Sequence, residues 1–437
     1  MKRPISLIAT VFILGIGTSV GLCAGGDTPL IEAVKRRDVR EVTTLLRSRP
    51  DVNIATPDGA TPLTWAIYLG ESRMAEALLK AGAKPDVQTV YGETPLTLAA
   101  ANGDAVIVVQ LLKLGANPNK ARWNGETPLM IAASAGNGDA VRALIEAGAD
   151  VNAVDPKNGQ TPLMWAAAEG RGDAVKVLLA RGADPRLKTK SGFDALVFAA
   201  LSNDVPSVRL LLAAGGDPNH VMPSGAALVS TAMVFGSSAT ALQLVESGAN
   251  PKFVDRAGNT PVHVAAKTGE LDVLKALVAK GGDVNARASG GGTPLMVAAQ
   301  ANEVEAMRLL VGLGADRSLR AENGNTLLMF GAAGKRQSVE YAYELDPHVD
   351  IVNDAGQTPM HQALVGGQGT GHVGKTQDEI VAVMKFLADK GAKLDERDKA
   401  GRTPLSQADR LPVDKAVDLL AELIKRSGNT PKIASTR

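Results

Sequence analysis

Apolar and polar residues follow one pattern that returns about every 33 residues along the chain. The tripeptide Thr-Pro-Leu begins at Thr28, Thr61, Thr94, Thr127 and Thr161, at spacings of 33, 33, 33 and 34 residues. Weaker copies of the tripeptide begin at Asp194, Ala226, Thr260, Thr293, Thr326, Thr358 and Thr403, which brings the number of anchors to twelve. Each anchor precedes a short Ala-rich run, a Gly or Asn, and a second apolar segment. The period predicts a tandem array of one structural unit.

The third copy shows what the pattern predicts within a unit. Thr94 is suited to cap a first helix, and the proline after it suits the first turn, where no amide donor is missed. Residues 106–112 place apolar side chains at helical spacing, which gives a second helix a buried face. Gly115 is suited to end that helix, and the polar residues 117–126 to form a projecting loop. One such unit cannot bury its apolar face alone, so the units must stack.

These motifs resemble the ankyrin repeat, from the 33-residue period to T-P-L-x-x-A-A, G-D-x-x-x-V-x-x-L-L and G-A-x-x-N, over residues 27–427. The resemblance implies antiparallel helix pairs with β-hairpin fingers in a curved solenoid. It also implies protein binding on the concave face and no intrinsic catalysis. The predicted fold class is therefore all-α, a solenoid of about twelve helix–turn–helix units with projecting β-hairpin loops.

Departures from the family pattern carry their own expectations. The family's usual histidine after T-P-L is present only as His263 and His361, where the resemblance implies a structural role in bonding the loop backbone. The anchors at Asp194, Ala226 and Thr326 lack Thr or Pro. We expect softer joints at these three repeats, because they lack part of the helix-capping chemistry.

The first 24 residues have the order of a secretory signal. Lys2 and Arg3 precede an apolar stretch over residues 5–16, and small and polar residues follow. Cleavage after Ala24 would remove the only cysteine and leave a periplasmic or secreted protein. The alternative is an uncleaved inner-membrane anchor facing the periplasm, because residues 5–22 are just long enough to span a bilayer.

The remaining boundaries follow from the repeat spacing. Residues 25–427 form the predicted ankyrin domain, with an N-terminal cap at about 27–59 and a C-terminal cap at about 403–427. The last two anchors lie 45 residues apart, which indicates an insertion at about 366–377. Residues 428–437 are predicted to be a disordered tail.

Composition excludes several function classes. A net charge of +1 excludes a strongly basic nucleic-acid binder, and a single Cys excludes a disulfide scaffold or a cysteine-based metal cluster. The five histidines show no metal-ligand spacing. We therefore expect a monomer with no catalytic residue, metal or cofactor, and no membrane contact beyond a possible N-terminal anchor.

One string imitates a catalytic motif. Residues 369–376 match the phosphate-loop pattern G-x-x-x-x-G-K-[ST], with Lys375 in the lysine position. A phosphate loop needs a buried strand before it, whereas residues 358–367 read as the first helix of a repeat. We interpret the string as a flexible insertion. A partner-binding loop and a nucleotide site that uses Lys375 are the alternatives.

Scarce aromatic residues point to a candidate interface. Trp65 and Trp165 lie on first helices, where half-buried packing is the favoured role. Four other aromatics lie at helix ends or on fingers, in positions that face the concave groove in ankyrin proteins. Basic residues crowd the same fingers at Arg122, Lys157, Arg186, Lys188 and Lys190. They are either solvated tips or a rim that captures an acidic partner. The predicted partner-binding residues are Tyr68, Tyr91, Arg122, Trp123, Lys157, Lys190 and Phe193.

Overall fold

The anchors of the sequence begin the first helices of consecutive helix pairs. The computed structural model describes residues 28–365, 375–427 and 431, and these residues form 24 helices in twelve pairs. The predicted signal segment, residues 366–374 of the predicted insertion and most of the predicted C-terminal tail lie outside the described residues. The chain divides into two compact units between Pro223 and Ser224.

Unit 1 contains six helix pairs, in which odd-numbered helices are first helices. They are α1 (Pro29–Lys35), α2 (Val39–Arg47), α3 (Pro62–Tyr68), α4 (Ser72–Lys80), α5 (Pro95–Ala101), α6 (Ala105–Lys113), α7 (Pro128–Ala135), α8 (Gly138–Glu146), α9 (Pro162–Ala168), α10 (Gly172–Ala180), α11 (Ala195–Leu201) and α12 (Val205–Ala213). The Ala pairs of the first helices, such as Ala99 and Ala100, are fully buried. Their small size lets adjacent layers pack closely.

Unit 2 contains the other six pairs. They are α13 (Leu228–Val234), α14 (Ser238–Glu246), α15 (Pro261–Thr268), α16 (Leu271–Ala279), α17 (Pro294–Ala301), α18 (Val304–Gly312), α19 (Leu327–Ala333), α20 (Arg336–Leu345), α21 (Pro359–Gln362), α22 (Gln377–Asp389), α23 (Pro404–Ala408) and α24 (Asp414–Arg426). Together the two sets confirm the prediction of an all-α solenoid of helix–turn–helix units.

Capping chemistry explains where the first helices begin. In repeat three the Thr94 hydroxyl accepts the Thr97 amide at 3.1 Å, and the Thr97 hydroxyl accepts the Thr94 amide at 2.8 Å. This reciprocal pair satisfies two amides that the helix itself leaves unbonded. Thr61 and Thr64 repeat the arrangement in the preceding unit.

The two family histidines have the structural role that the resemblance implies. His263 Nδ1 accepts the Thr260 amide at 3.1 Å, and its Nε2 donates to the Gly292 carbonyl of the next finger at 3.2 Å. His361 bonds the Thr358 amide and the Arg402 carbonyl in the same way. Burial lowers the pKa of both imidazoles, which favours the neutral form that these bonds require.

The weak anchors differ in what replaces the threonine. Asp194 still caps its helix, because its Oδ1 accepts the Val197 amide at 3.1 Å. Thr326 Oγ1 is buried and has no hydrogen-bond partner among the described residues. The seventh anchor lies one residue later than the predicted Ala226, because the helix cap is Ala227 and Leu228 takes the proline position. Without Thr or Pro, the sequence Ala-Ala-Leu does not show which residue caps the helix. The burial of Leu228 and Val229 in the core places the cap at Ala227.

Asparagine side chains clamp one repeat to the next at several junctions of unit 1. Asn119 Nδ2 donates to the Gly148 carbonyl at 2.9 Å, and its Oδ1 accepts the Asp150 amide at 2.8 Å. Asn53 and Asn152 make equivalent bonds at other junctions of unit 1. Each clamp satisfies backbone groups that lie just after a second helix.

The fingers are hydrogen-bonded turns, and the described residues contain no β-strand. Each finger takes the number of the repeat whose first helix follows it, so residues 86–93 before α5 are the third finger. There the Thr89 amide donates to the Glu93 carbonyl at 2.9 Å, and the turn closes within five residues. Each arm is therefore too short for a ladder, and the predicted β-hairpins do not form. Some adjacent fingers are joined by one backbone bond, as from the Val90 amide to the Asp58 carbonyl at 2.8 Å.

A glycine two residues before the helix cap permits this close approach. Gly92 has φ +80, and a Cβ there would lie 2.5 Å from the Trp123 amide nitrogen. Gly115 has a similar φ of +91, but a Cβ there would meet nothing within 4 Å. The two positions therefore share the same backbone strain and differ in the collision with the next repeat.

Replacing Gly92 by Ala should destabilise unit 1 more than replacing Gly115 by Ala. We expect about 1 kcal/mol from the left-handed backbone in both variants, and roughly 1–3 kcal/mol more in Gly92→Ala from overpacking against the next finger. Denaturant unfolding followed by circular dichroism would measure the difference. Equal losses in the two variants would contradict a packing role for the finger glycine.

Candidate functional site

The finger turns of unit 1 lie side by side and form a continuous surface. We call this surface the finger strip. It consists of the second to sixth fingers, which are residues 53–60, 86–93, 119–126, 152–160 and 186–193. The second and third fingers share the bond from Val90 to Asp58, and a Cβ on Gly92 would touch the backbone of Arg122 and Trp123. Gly125 lies against Pro156, and the Lys190 amide donates to the Asn158 carbonyl at 2.9 Å. The strip contains every predicted binding residue except Tyr68, which ends the adjacent helix α3.

Tyr68 and Tyr91 lie in one cleft beside the strip. The cleft is shallow and open to solvent, and its lining residues are Asp58, Ala60, Thr64, Trp65, Tyr68, Thr89, Tyr91, Glu93 and Leu98. Trp65 and Tyr68 pack edge to face, with ring centroids 5.8 Å apart. Tyr91 stays 49% exposed. The structure therefore brings two of the predicted aromatics together.

Trp123 is the most exposed large apolar side chain in the described part of the chain, at 70%. The neighbouring Arg122, a predicted partner-binding residue, does not offer a free positive charge to a partner. Arg122 Nε lies 2.9 Å from Glu93 Oε2, Nη1 lies 3.0 Å from Glu126 Oε2, and only 16% of the side chain is exposed. Arg122 is neutralised by two carboxylates and locks the fourth finger against the third.

Phe193 is less exposed than an interface anchor would be. It is half-buried and packs edge to face against Phe198 of α11, with centroids 6.3 Å apart. Sequence reasoning placed it correctly between the finger glycine and the helix cap. It gave no sign of Phe198, which takes the helix position that Trp65 holds in α3.

The basic residues of the strip are not equivalent. Arg186 pairs with Asp184 at 3.2 Å. Lys157 and Lys190 are exposed, although Lys190 Nζ also donates to the Pro156 carbonyl at 2.5 Å. The basic character that remains for a partner is therefore concentrated on the fifth and sixth fingers.

Three residues that matter to the surface were missed. Asp58 and Glu93 line the aromatic cleft, and Lys35 Nζ lies 4.5 Å from the centre of the Trp65 ring. The available signal was the position of the two carboxylates next to the finger glycines Gly59 and Gly92. Asp58 lies within its finger turn and Glu93 closes the next one, and both side chains line the cleft beside α3.

Comparisons with known proteins agree with the repeat geometry. A family model described as ankyrin repeats, in three copies, matches residues 7–89, 82–155, 152–222 and 228–321. The chain belongs to the ankyrin repeat family. No curated protein sequence matches it significantly. The crystal structure of the human ASB11 ankyrin repeat domain is similar at 27% identity and a TM-score of 0.46, over 51% of this chain and 99% of that domain.

Lys375 does not have the environment of a phosphate-binding lysine. It is 7% exposed, and its Nζ donates to the carbonyls of Ala332 at 2.5 Å and Ala363 at 3.0 Å. These carbonyls lie at the C-terminal ends of α19 and α21, where the helix leaves carbonyl oxygens without an intrahelical partner. In this ankyrin chain Lys375 therefore caps two helices, which argues against the nucleotide alternative. Residues 369–374 of the motif lie outside the described residues.

A second buried polar pair lies in the sixth repeat. His220 Nδ1 is 2.9 Å from Asp194 Oδ2, and both side chains are almost fully buried. The pair explains why Asp replaces the usual threonine, because the carboxylate both caps α11 and binds the following finger.

Where the structure describes the chain, no group of three or more His, Cys, Asp or Glu could hold a metal ion. No described helix has the length and apolar character needed to cross a bilayer.

Lys375 should make the stability of unit 2 depend on pH. Burial lowers the pKa of Lys375 from 10.5 to about 7, while Glu379, itself paired with Lys335, opposes the shift. As pH falls from 10.5 to 7, the unfolded chain takes up a proton that the folded chain does not. The free energy of unfolding should therefore fall by up to about 5 kcal/mol as the pH is lowered over this range. Wild-type stability should accordingly rise between pH 7 and pH 10.

Lys375→Met should flatten this part of the stability profile, and Lys385→Met on the exposed face of α22 should leave it unchanged. Chemical denaturation at several pH values would compare the slopes. A Lys375→Met protein with the wild-type slope would show that Lys375 is not the titrating group.

Proposed function

We propose that this ankyrin protein is an exported, non-catalytic, monomeric scaffold that binds a protein partner along the finger strip of unit 1. The observation that carries the proposal is Trp123, a Trp that is 70% exposed on a finger with a fixed position. Tyr91, on the preceding finger, is 49% exposed. Trp and Tyr are the residue types that most often dominate protein interfaces. Tyr91 and Trp123 are thus the proposed anchors.

The surroundings of Trp123 favour binding without rearrangement. The ion pairs of Arg122 with Glu93 and Glu126 connect two fingers, and the close contact at Gly92 holds their backbones together. A partner would not have to order this loop when it binds. Preorganisation of this kind preserves affinity that a flexible loop would lose as conformational entropy.

Lys157 and Lys190 extend the proposed contact to the fifth and sixth fingers. Both are exposed, and the sixth finger also carries Lys188. Exposed charges at the rim of an interface mainly accelerate encounter and select partners of opposite sign. We assign these lysines to the capture of an acidic part of the partner. Tyr68 and Phe193 support the surface from half-buried positions.

Export rests on the signal-like order of residues 1–24. A cleaved signal would place the scaffold in the periplasm or the medium, and an uncleaved segment would tether it to the inner membrane. The intact mass of the protein purified from its native source separates the two. A chain that begins near Gly25 is expected, and a chain that keeps residues 5–22 would favour the tethered scaffold.

Removal of both anchors should abolish partner capture. We expect each substitution in a Tyr91→Ala, Trp123→Ala protein to cost about 2 kcal/mol, or roughly thirtyfold in affinity. Crosslinking in the native extracytoplasmic fraction, followed by mass spectrometry, would compare this variant with wild type. Phe235→Ala is the matched control, because Phe235 is 51% exposed and lies in unit 2. A partner kept by the double variant would place the site elsewhere.

A further inference from the structure

We propose that the cleft formed by Trp65, Tyr68, Tyr91 and Asp58 accepts one basic side chain, a Lys or Arg, of the protein partner. The inference rests on the proposed function, since it assumes that the partner lies along the finger strip. It adds the chemistry of one contact, and it assigns to Asp58 the selection of that side chain.

The cleft has the composition that suits a long cationic side chain. Its walls are the rings of Trp65, Tyr68 and Tyr91, and Leu98 contributes an apolar surface. Aromatic faces attract ammonium and guanidinium groups, and they also cover the methylene stem of Lys or Arg. The cleft is shallow and open to solvent, so such a side chain would lie along the rings rather than enter a closed pocket.

Asp58 differs from the other carboxylate of the cleft in its charge balance. Glu93 is paired with Arg122 at 2.9 Å and also accepts the Thr97 hydroxyl at 2.9 Å. The Asp58 side chain is half-buried and bonds only neutral groups, the Thr56 hydroxyl and the Ala60 amide, without an ion pair to any described residue. A basic side chain would supply the missing positive charge.

Lys35 shows that this site already attracts a cation. Its Nζ lies 4.5 Å from the centre of the Trp65 ring, yet Lys35 is not part of the cleft lining. Lys35 therefore stacks on the tryptophan from outside the cleft. The rings of Tyr68 and Tyr91 and the carboxylate of Asp58 remain for the partner.

The charge of the whole strip fits this assignment. The second and third fingers, residues 53–60 and 86–93, contain three carboxylates and no basic residue. Asp86 and Glu93 are paired with Lys120 and Arg122 of the fourth finger, so Asp58 is the carboxylate of the three that has no ion pair to a described residue. The sixth finger, residues 186–193, contains three basic residues and no carboxylate. A partner segment with a basic residue at the cleft and acidic residues near Lys157 and Lys190 would match both ends. An acidic segment alone would meet repulsion at Asp58.

Selection of random linear peptides displayed on phage would test the inference without a known partner. Wild type, Asp58→Asn, Asp51→Asn and the Tyr91→Ala, Trp123→Ala protein would be panned in parallel. The amide introduced by Asp58→Asn would keep the Oδ1 acceptor for Thr56 and Ala60, so the finger should stay folded. Asp51 lies just before the strip, is exposed, and accepts only the Asn53 amide, which makes it the matched carboxylate control.

We expect wild type and Asp51→Asn to enrich peptides with Lys or Arg at a fixed position, and Asp58→Asn to lose that enrichment. In the selected peptide, Arg→Gln should weaken binding to wild type about tenfold and binding to Asp58→Asn less than about twofold. This coupling would show that the two charges meet.

Two outcomes would overturn the inference in distinguishable ways. Peptides that need Tyr91 and Trp123 but show no fixed basic residue, or one insensitive to Asp58→Asn, would remove the cleft assignment and leave the finger strip intact. Failure to select any peptide that depends on Tyr91 and Trp123 would count against both the cleft and the proposed function.

Discussion

A glycine two residues before the helix cap lets several consecutive fingers pack in close contact. At Gly92 the next repeat is so close that even a methyl group would collide with the Trp123 amide. The same position is Gly125 and Gly258 in other repeats, with Pro156 and Ser289 as the close neighbours. This spacing sets how the fingers align. The asparagine clamps and the buried Ala pairs of the first helices complete the same junctions.

The candidate surface depends directly on that spacing. Because neighbouring fingers touch, Arg122 of one finger can reach Glu93 of the preceding one, and the exposed Trp123 gains a fixed base. The contact also decides which charges remain for a partner. Arg122 and Glu93 neutralise each other, whereas Asp58, Lys157 and Lys190 have no ion-pair partner among the described residues. Recognition would therefore depend on the charges that the fold leaves unpaired.

The sequence predicted the periodic part of this molecule well and the contacts between repeats poorly. Thr and Pro mark a helix start through local chemistry, so eleven of the twelve anchors coincide with helix caps and only Ala226 is wrong. Arg122 and Glu93 are 29 residues apart, and His220 and Asp194 are 26 apart. Nothing local indicates such pairs. Lys375 shows the same limit, because its motif letters gave no information about the helix ends that surround it.

The aromatic residues are used differently in the two units. In unit 2, Tyr343 and Phe386 pack edge to face at 5.7 Å between the second helices α20 and α22, and Lys390 covers both rings. Phe386 lies on the second helix that follows the shortest first helix, α21. In unit 1, Tyr91 and Trp123 lie on adjacent fingers and stay 49% and 70% exposed. Aromatic area that packing does not require is what an interface can use, and this favours unit 1 as the binding unit.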